Sequence, residues 1–140
     1  MSTDEKWAYL VGLDDSLLMG GAMLSEYTSA LVRSADLAFV GDAFLACIIT
    51  SLAVIETHLR SEARTKEGRL VDLISSALIA DDLKAELHIL RKCRNRWVHV
   101  AEPWEDESCE YTEESEAELE EVAKRCLVAM RRTIYANPWI

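Results

Sequence analysis

The thirteen residues from Ala43 to Ile55 are apolar except for Thr50 and Ser51, and that run limits what the chain can become. It is short of the roughly 18 to 20 apolar residues a bilayer span requires. It therefore reads as a helix buried in a core. Its first half is apolar on all sides, which places it at the centre of a bundle. At 140 residues the chain is long enough to bury roughly two-thirds of its unfolded surface, so one domain over 1–140 is expected. An apolar share of one half, five Gly and two Pro fit a mostly helical fold rather than a disordered or β-rich one.

The same patterning sets the expected elements. One helix is predicted from about Asp15 to Arg33, after a turn or short helix at Lys6 to Leu10. The Gly20-Gly21 pair weakens its middle and predicts a kink or a close helix crossing there. Gly41-Asp42 supplies a break and a cap before a second helix from Ala43 to about Arg64, which Lys66-Glu67-Gly68 ends. A short helix from Leu70 to Leu78 follows. Asp81-Asp82 then places two carboxylates where they favour the start of a helix from Leu83 to about Val98. The last helix begins near Thr112. The expectation is an all-α, up-and-down bundle of four to five helices.

The helix ending near Val98 carries Leu83, Leu87, Leu90, Arg94 and Trp97 at alternating spacings of four and three, a single face toward the core. Arg94 is the anomaly, a guanidinium where the pattern assigns an apolar side chain. Around it stands Arg94-Asn95-Arg96-Trp97-Val98-His99, an Arg, then Asn, three residues, then His. In an all-helical setting this pattern resembles the HEPN family, small helical bundles many of which are metal-independent ribonucleases of toxin–antitoxin and phage-defence systems. The resemblance implies a HEPN-like fold, a homodimer whose two motifs face one groove, an RNA substrate, no cofactor, and control by an antitoxin or regulatory protein. A toxin subgroup of the family has a tyrosine two residues after its His, where this chain has Ala101, so control by that kind of partner is in doubt.

The spacing itself is demanding. Asn95 and His99 are four apart and share a helix face, whereas Arg94 and His99, five apart, lie about 140° around the axis. They can serve one cleft if the helix ends or bends before His99, or if a second protomer brings its own copy. Glu56 is a matching anomaly in the stripe Leu45, Ile49, Leu52, Glu56, Leu59. A charge buried alone costs several kcal/mol, so Glu56 is expected to pair with Arg94, or with Arg60 one turn on. The segment Glu56-Thr57-His58-Leu59-Arg60 also looks like the acidic helix end that accompanies the motif in some HEPN proteins.

If the chain cleaves RNA, the 2′-OH is the nucleophile, and the protein must move protons and hold the phosphorane charge. His99 suits the first task because imidazole titrates near neutral pH. Arg94 suits the second through its fork of donors, and Asn95 would orient the ring or bind phosphate. Arg91, Lys92 and Arg96 would hold the RNA backbone. The plainer reading makes Arg94 a packing residue bonded to Glu56, His99 a helix-end residue favoured by the macrodipole, and the basic residues a solvated face. His58 and His88 lack a third ligand at useful spacing and read as surface or packing residues; no metal site is expected. Trp97 reads as core.

Charge bounds the partners. The net charge of −10 argues against a protein that coats nucleic acid generally. Yet Glu56 to Val100 holds nine Lys/Arg against seven acids, while Ala101 to Glu121 holds eleven acids and no base, so a locally basic site on an acidic body is compatible with the sequence. The acidic run reads as a solubilising surface; its sharper readings are a nucleic-acid mimic covering the basic site or a docking face for a basic partner. Cys47, Cys93, Cys109 and Cys126 are scattered, so four reduced thiols are expected, without disulfide or zinc. The N-terminus lacks a basic-then-apolar export pattern, and a cytoplasmic protein without a membrane association is expected. Alternatives to a nuclease are a non-catalytic HEPN-like nucleotide-binding module and a helical adaptor.

Overall fold

Two adjacent glycines divide what the sequence joined. The computed structural model describes residues 1–98 and 111–137. Within them the N-terminal region is two helices, α1 (Thr3–Leu17) and α2 (Glu26–Val40), with Gly20-Gly21 in the connection between them. A helix through both glycines would lose about 2 kcal/mol of propensity. Ser25 offers an alternative, since its Oγ accepts from the Thr28 amide at 3.1 Å and starts α2 with a cap. At the other end of α1, Ser2 and Glu5 form a reciprocal capping box, so the short N-terminal helix is a full element of 15 residues.

The remaining helices are α3 (Phe44–Ala63), α4 (Leu70–Ser76), α5 (Asp81–Val98) and α6 (Glu113–Ile134), giving an all-α bundle with six helices among the described residues. The turn between α2 and α3 differs from expectation in one respect. Asp42 adopts a left-handed conformation (φ 60°) and pairs with Lys6 of α1, while α3 starts at an Ala43 cap that makes no side-chain hydrogen bond. Arg64, also left-handed (φ 52°), closes α3.

α3 is the central helix, packed against α2, α4, α5 and α6. It continues past Ile55 to Ala63, 20 residues in all, and is long and apolar enough, by length and composition alone, to cross a membrane. In this fold its buried residues are Phe44, Cys47, Ile48, Ser51, Leu52, Val54, Ile55 and Leu59, each large aliphatic contributing about 1.5–3 kcal/mol. Ile49, assigned inward by the sequence pattern, is exposed, and Glu56 lies on the half-buried shoulder of the helix. The inward stripe is thus rotated from the one expected.

α5 and α6 run antiparallel. Asp82 pairs with Arg132, Glu86 with Arg125 and Arg96 with Glu118, successive positions along α5 meeting earlier and earlier positions along α6. Leu83, Leu87 and Leu90 of α5 are buried as the periodicity predicts, and the stripe ends in half-buried Arg94 and Trp97.

A buried arginine gathers three helices at the other end of the bundle. Arg131 of α6, 1% exposed, donates from Nε to Asp14 of α1 at 2.9 Å and from Nη2 to both oxygens of Asp36 of α2 at 3.0 and 2.9 Å. Tyr135 donates to the same Asp14 oxygen at 2.7 Å. Burial works against the Arg131 charge, but the Asp36 and Asp14 carboxylates outweigh it and raise its pKa.

Candidate functional site

Asp81 and Asp82 start α5 and complement the positive end of its dipole, and from there the helix sorts its side chains by face. At about 100° per residue, Lys84, His88, Arg91 and Asn95 fall within an arc of about 60°. The face toward α6, on the opposite side, carries Asp82 and Glu86, both engaged by α6 arginines. The leucine stripe lies between these faces and ends in Arg94.

Arg94 donates from Nε and Nη2 to Oδ1 of Asn95 at 3.2 and 3.0 Å. Of the two pairings expected for Glu56, the structure shows the one with Arg60, within α3 at 3.0 Å, and not the one with Arg94. The cause is geometric: four residues apart on one helix, the two side chains meet by rotamer choice alone, and on the half-exposed shoulder Glu56 needs no partner from another helix. Arg60 also donates to the carbonyls of Glu67 at 3.1 Å and Gly68 at 2.8 Å, so it organises the turn into α4. Among the described residues no carboxylate oxygen lies within 4.0 Å of Lys84, Arg91, Lys92 or Arg94. In a chain of charge −10, four cations of one helix thus remain without a carboxylate partner there.

Arg96 is placed differently from Arg91 and Lys92. It pairs with Glu118 of α6, and its guanidinium carbon lies 5.8 Å from the centre of the Trp97 ring. The exposed ion pair is worth little, at most about 1 kcal/mol. Trp97 packs against the core, and its indole N–H is buried without a partner among the described residues. His99 lies outside the described residues, as do Ala101 and Cys109.

A chain of hydrogen bonds joins α5 to α4. Arg91 donates from Nε to Nδ1 of His88 at 3.2 Å, Nε2 of His88 lies 3.4 Å from Oγ of Ser75, and Ser75 donates to the Val71 carbonyl at 2.8 Å. The donors fix the tautomer. A guanidinium can only donate, so Nδ1 is bare; the Ser75 proton is committed to a carbonyl, so Nε2 carries the ring proton. Burial and the neighbouring Arg91, Lys92 and Lys84 charges lower the His88 pKa, in keeping with a neutral ring. Lys84 donates to the Ser75 carbonyl at 3.0 Å. In the sequence His88 stands as a single residue; the spacing 84, 88, 91, 95 is the signal that groups it with Lys84, while the Ser75 contact depends on how α4 docks.

His58 belongs to another region, a cavity of about 360 Å³ between α3, α4 and the end of α6. Burial lowers its pKa and Glu62, 3.7 Å away, opposes the shift. The thiols of Cys47 and Cys126 are buried; burial pushes Cys47 up to about 12 and Cys126 higher still. Such thiols are poor nucleophiles.

At the end of α5, then, stands an arginine fork fixed by an adjacent amide, continuous with a basic face that α4 partly orders. Such a surface can bind phosphates through charge-assisted hydrogen bonds. No protein-family model, curated protein or solved structure matches this chain.

Proposed function

We propose that this protein is a metal-independent endoribonuclease of a toxin–antitoxin or phage-defence system, acting in the cytoplasm as a homodimer. The observation that carries the reading is the sorting of charge on α5: Lys84, Arg91, Lys92 and Arg94 are left without carboxylate partners among the described residues, beside the Arg-Asn-x-x-x-His motif. A purely structural Arg94 would be expected to bond Glu56, and that carboxylate is engaged by Arg60.

In this reading Arg94 holds the non-bridging oxygens of the scissile phosphate. Asn95 accepts from Arg94 at Oδ1 and keeps its Nδ2 donors for phosphate or for the histidine ring. His99 takes the proton from the 2′-OH, which attacks phosphorus; the bond to the 5′-oxygen breaks, and His99 of a second protomer protonates that leaving group. The products are a 2′,3′-cyclic phosphate and a 5′-hydroxyl. The resemblance to HEPN proteins supplies the dimer and the absence of a metal.

The test is cleavage of a mixed RNA pool in EDTA by the wild type, Arg94→Ala and His99→Ala, with end-group analysis. A cyclic-phosphate-forming activity lost in both variants supports the proposal. A rate unchanged by 2′-deoxy substitution at the cleaved nucleotide rules the mechanism out. Saturable binding without cleavage would favour a non-catalytic nucleotide-binding module.

A further inference from the structure

The His88 hydrogen-bond chain is organised around a ring that three cations surround. From α5 come Lys84, Arg91 and Lys92, and from α4 come the Ser75 hydroxyl and, behind it, the Val71 carbonyl. Asp72, the acid of α4, lies 3.8 Å from Arg69. Arg91 spends its Nε donor on Nδ1 of the imidazole, a bond between a cation and a group that would itself become cationic on gaining a proton. An anion arriving at this face changes the balance, because it can accept from both.

We propose that Ser75, Lys84, His88 and Arg91 form a phosphodiester-binding subsite in which a backbone phosphate of RNA replaces the Arg91–His88 hydrogen bond while His88 takes up a proton from solvent at Nδ1. Protonation removes the lone pair that Arg91 uses and frees its guanidinium. The imidazolium keeps Nε2–H on Ser75 and turns Nδ1–H to the phosphate, so one proton adds two donors to the anion. Lys84 supplies charge to the same face. Along the helix His88 lies about 9 Å and Arg91 about 4.5 Å before Arg94, so the subsite takes a phosphate one or two nucleotides from the one held at Arg94. The choice of RNA as the ligand rests on the ribonuclease reading; the proton-linked phosphate capture does not.

Proton uptake on binding makes affinity rise as pH falls, by up to about tenfold per pH unit for one linked proton. The experiment follows the imidazole Cε1–H resonances by NMR as a function of pH, with and without saturating short 2′-O-methyl oligoribonucleotide, which lacks the nucleophile. The chain has three histidines, so His88→Gln identifies the His88 signal by its loss. The expected result is a free His88 titrating below its ordinary 6.5 and a bound one titrating about one pH unit higher. Affinity measured in parallel should rise on acidification in the wild type and much less in His88→Gln.

An unchanged His88 titration at saturation, or no oligonucleotide binding between pH 5.5 and 7.5 (roughly the window of imidazole titration), overturns the subsite. Because the probe cannot be cleaved, the two readings fail separately. A His88 shift with no cleavage of ordinary RNA sinks the ribonuclease and keeps the subsite; cleavage with no His88 shift does the reverse.

Discussion

Arg94 and Asn95 are chain neighbours joined side chain to side chain: Nε and Nη2 of the arginine converge on Oδ1 of the amide at 3.2 and 3.0 Å. Two donors on one neutral acceptor fix the direction of the guanidinium without neutralising it. A carboxylate partner would have fixed it equally well and cancelled the charge that a phosphate needs.

Under the proposed ribonuclease mechanism, Arg94→Gln is expected to lower cleavage about 10²- to 10³-fold, the usual effect of losing one transition-state donor. Its half-buried position and neutral partner limit the stability loss to about 1 kcal/mol. Single-turnover cleavage rates and urea midpoints on the same preparations check the pair of values. A stability loss several times larger with an unchanged rate would make Arg94 a packing residue.

The α5 cations that have no carboxylate partner among the described residues predict a salt dependence. If Lys84, Arg91, Lys92 and Arg94 each neutralise one phosphate, log affinity for a 2′-O-methyl oligonucleotide should fall with log salt at a slope of about −3. The double variant Lys84→Gln/Lys92→Gln should reduce that slope by about 1.4. Fluorescence anisotropy over a salt series measures it, and a flat dependence would show that this face does not meet the backbone.

Arg131 carries the largest expected stability effect. Arg131→Met leaves Asp14 and Asp36 facing each other's region without their shared cation, and loss of one partner of a buried pair costs about 3–5 kcal/mol. Adding Asp36→Asn should recover part of it, since the more buried carboxylate is then neutral. Urea unfolding of the single and double variants tests the coupling; additivity would mean the two side chains do not interact.

His58 predicts an acid-sensitive stability. Its folded pKa is lowered below 6.5, chiefly by burial, while the unfolded chain retains the ordinary value. The unfolded state therefore binds the proton first as pH falls. The contribution of neutral His58 is complete above 6.5 and declines as pH drops through the folded pKa. His58→Gln should flatten the wild-type loss of stability between about pH 6.5 and 5. Equal pH slopes in the two proteins would contradict the assignment.

Arg60 ties Glu56 to the carbonyls of Glu67 and Gly68. Arg60→Ala should cost about 1–2 kcal/mol through the unsatisfied turn, with faster amide hydrogen exchange concentrated in α4. Exchange rising uniformly over the chain would indicate a global effect instead.

Local periodicity and breakers determined much of this protein. Leu83, Leu87 and Leu90 are buried because a leucine every three or four residues makes one face whatever it packs against, and the apolar start of α3 leaves little choice but the middle of the bundle. Gly20-Gly21 showed where the N-terminal helix is weak; that it breaks there depended on the Ser25 cap and on Arg131 holding α1 and α2 separately. The motif from Arg94 to His99 was legible as residue types at a spacing, and His99 lies outside the described residues. Tertiary structure decided the partners that lie far apart in the chain. Ile49 faces out and Glu56 sits on a shoulder because α3 is rotated by its four neighbours, and Arg131 is buried because carboxylates 117 and 95 residues away in sequence converge on it. Sequence fixes which side chains share a helix face; which face meets which follows from packing, where a charge survives burial only when distant parts of the chain bring it a partner.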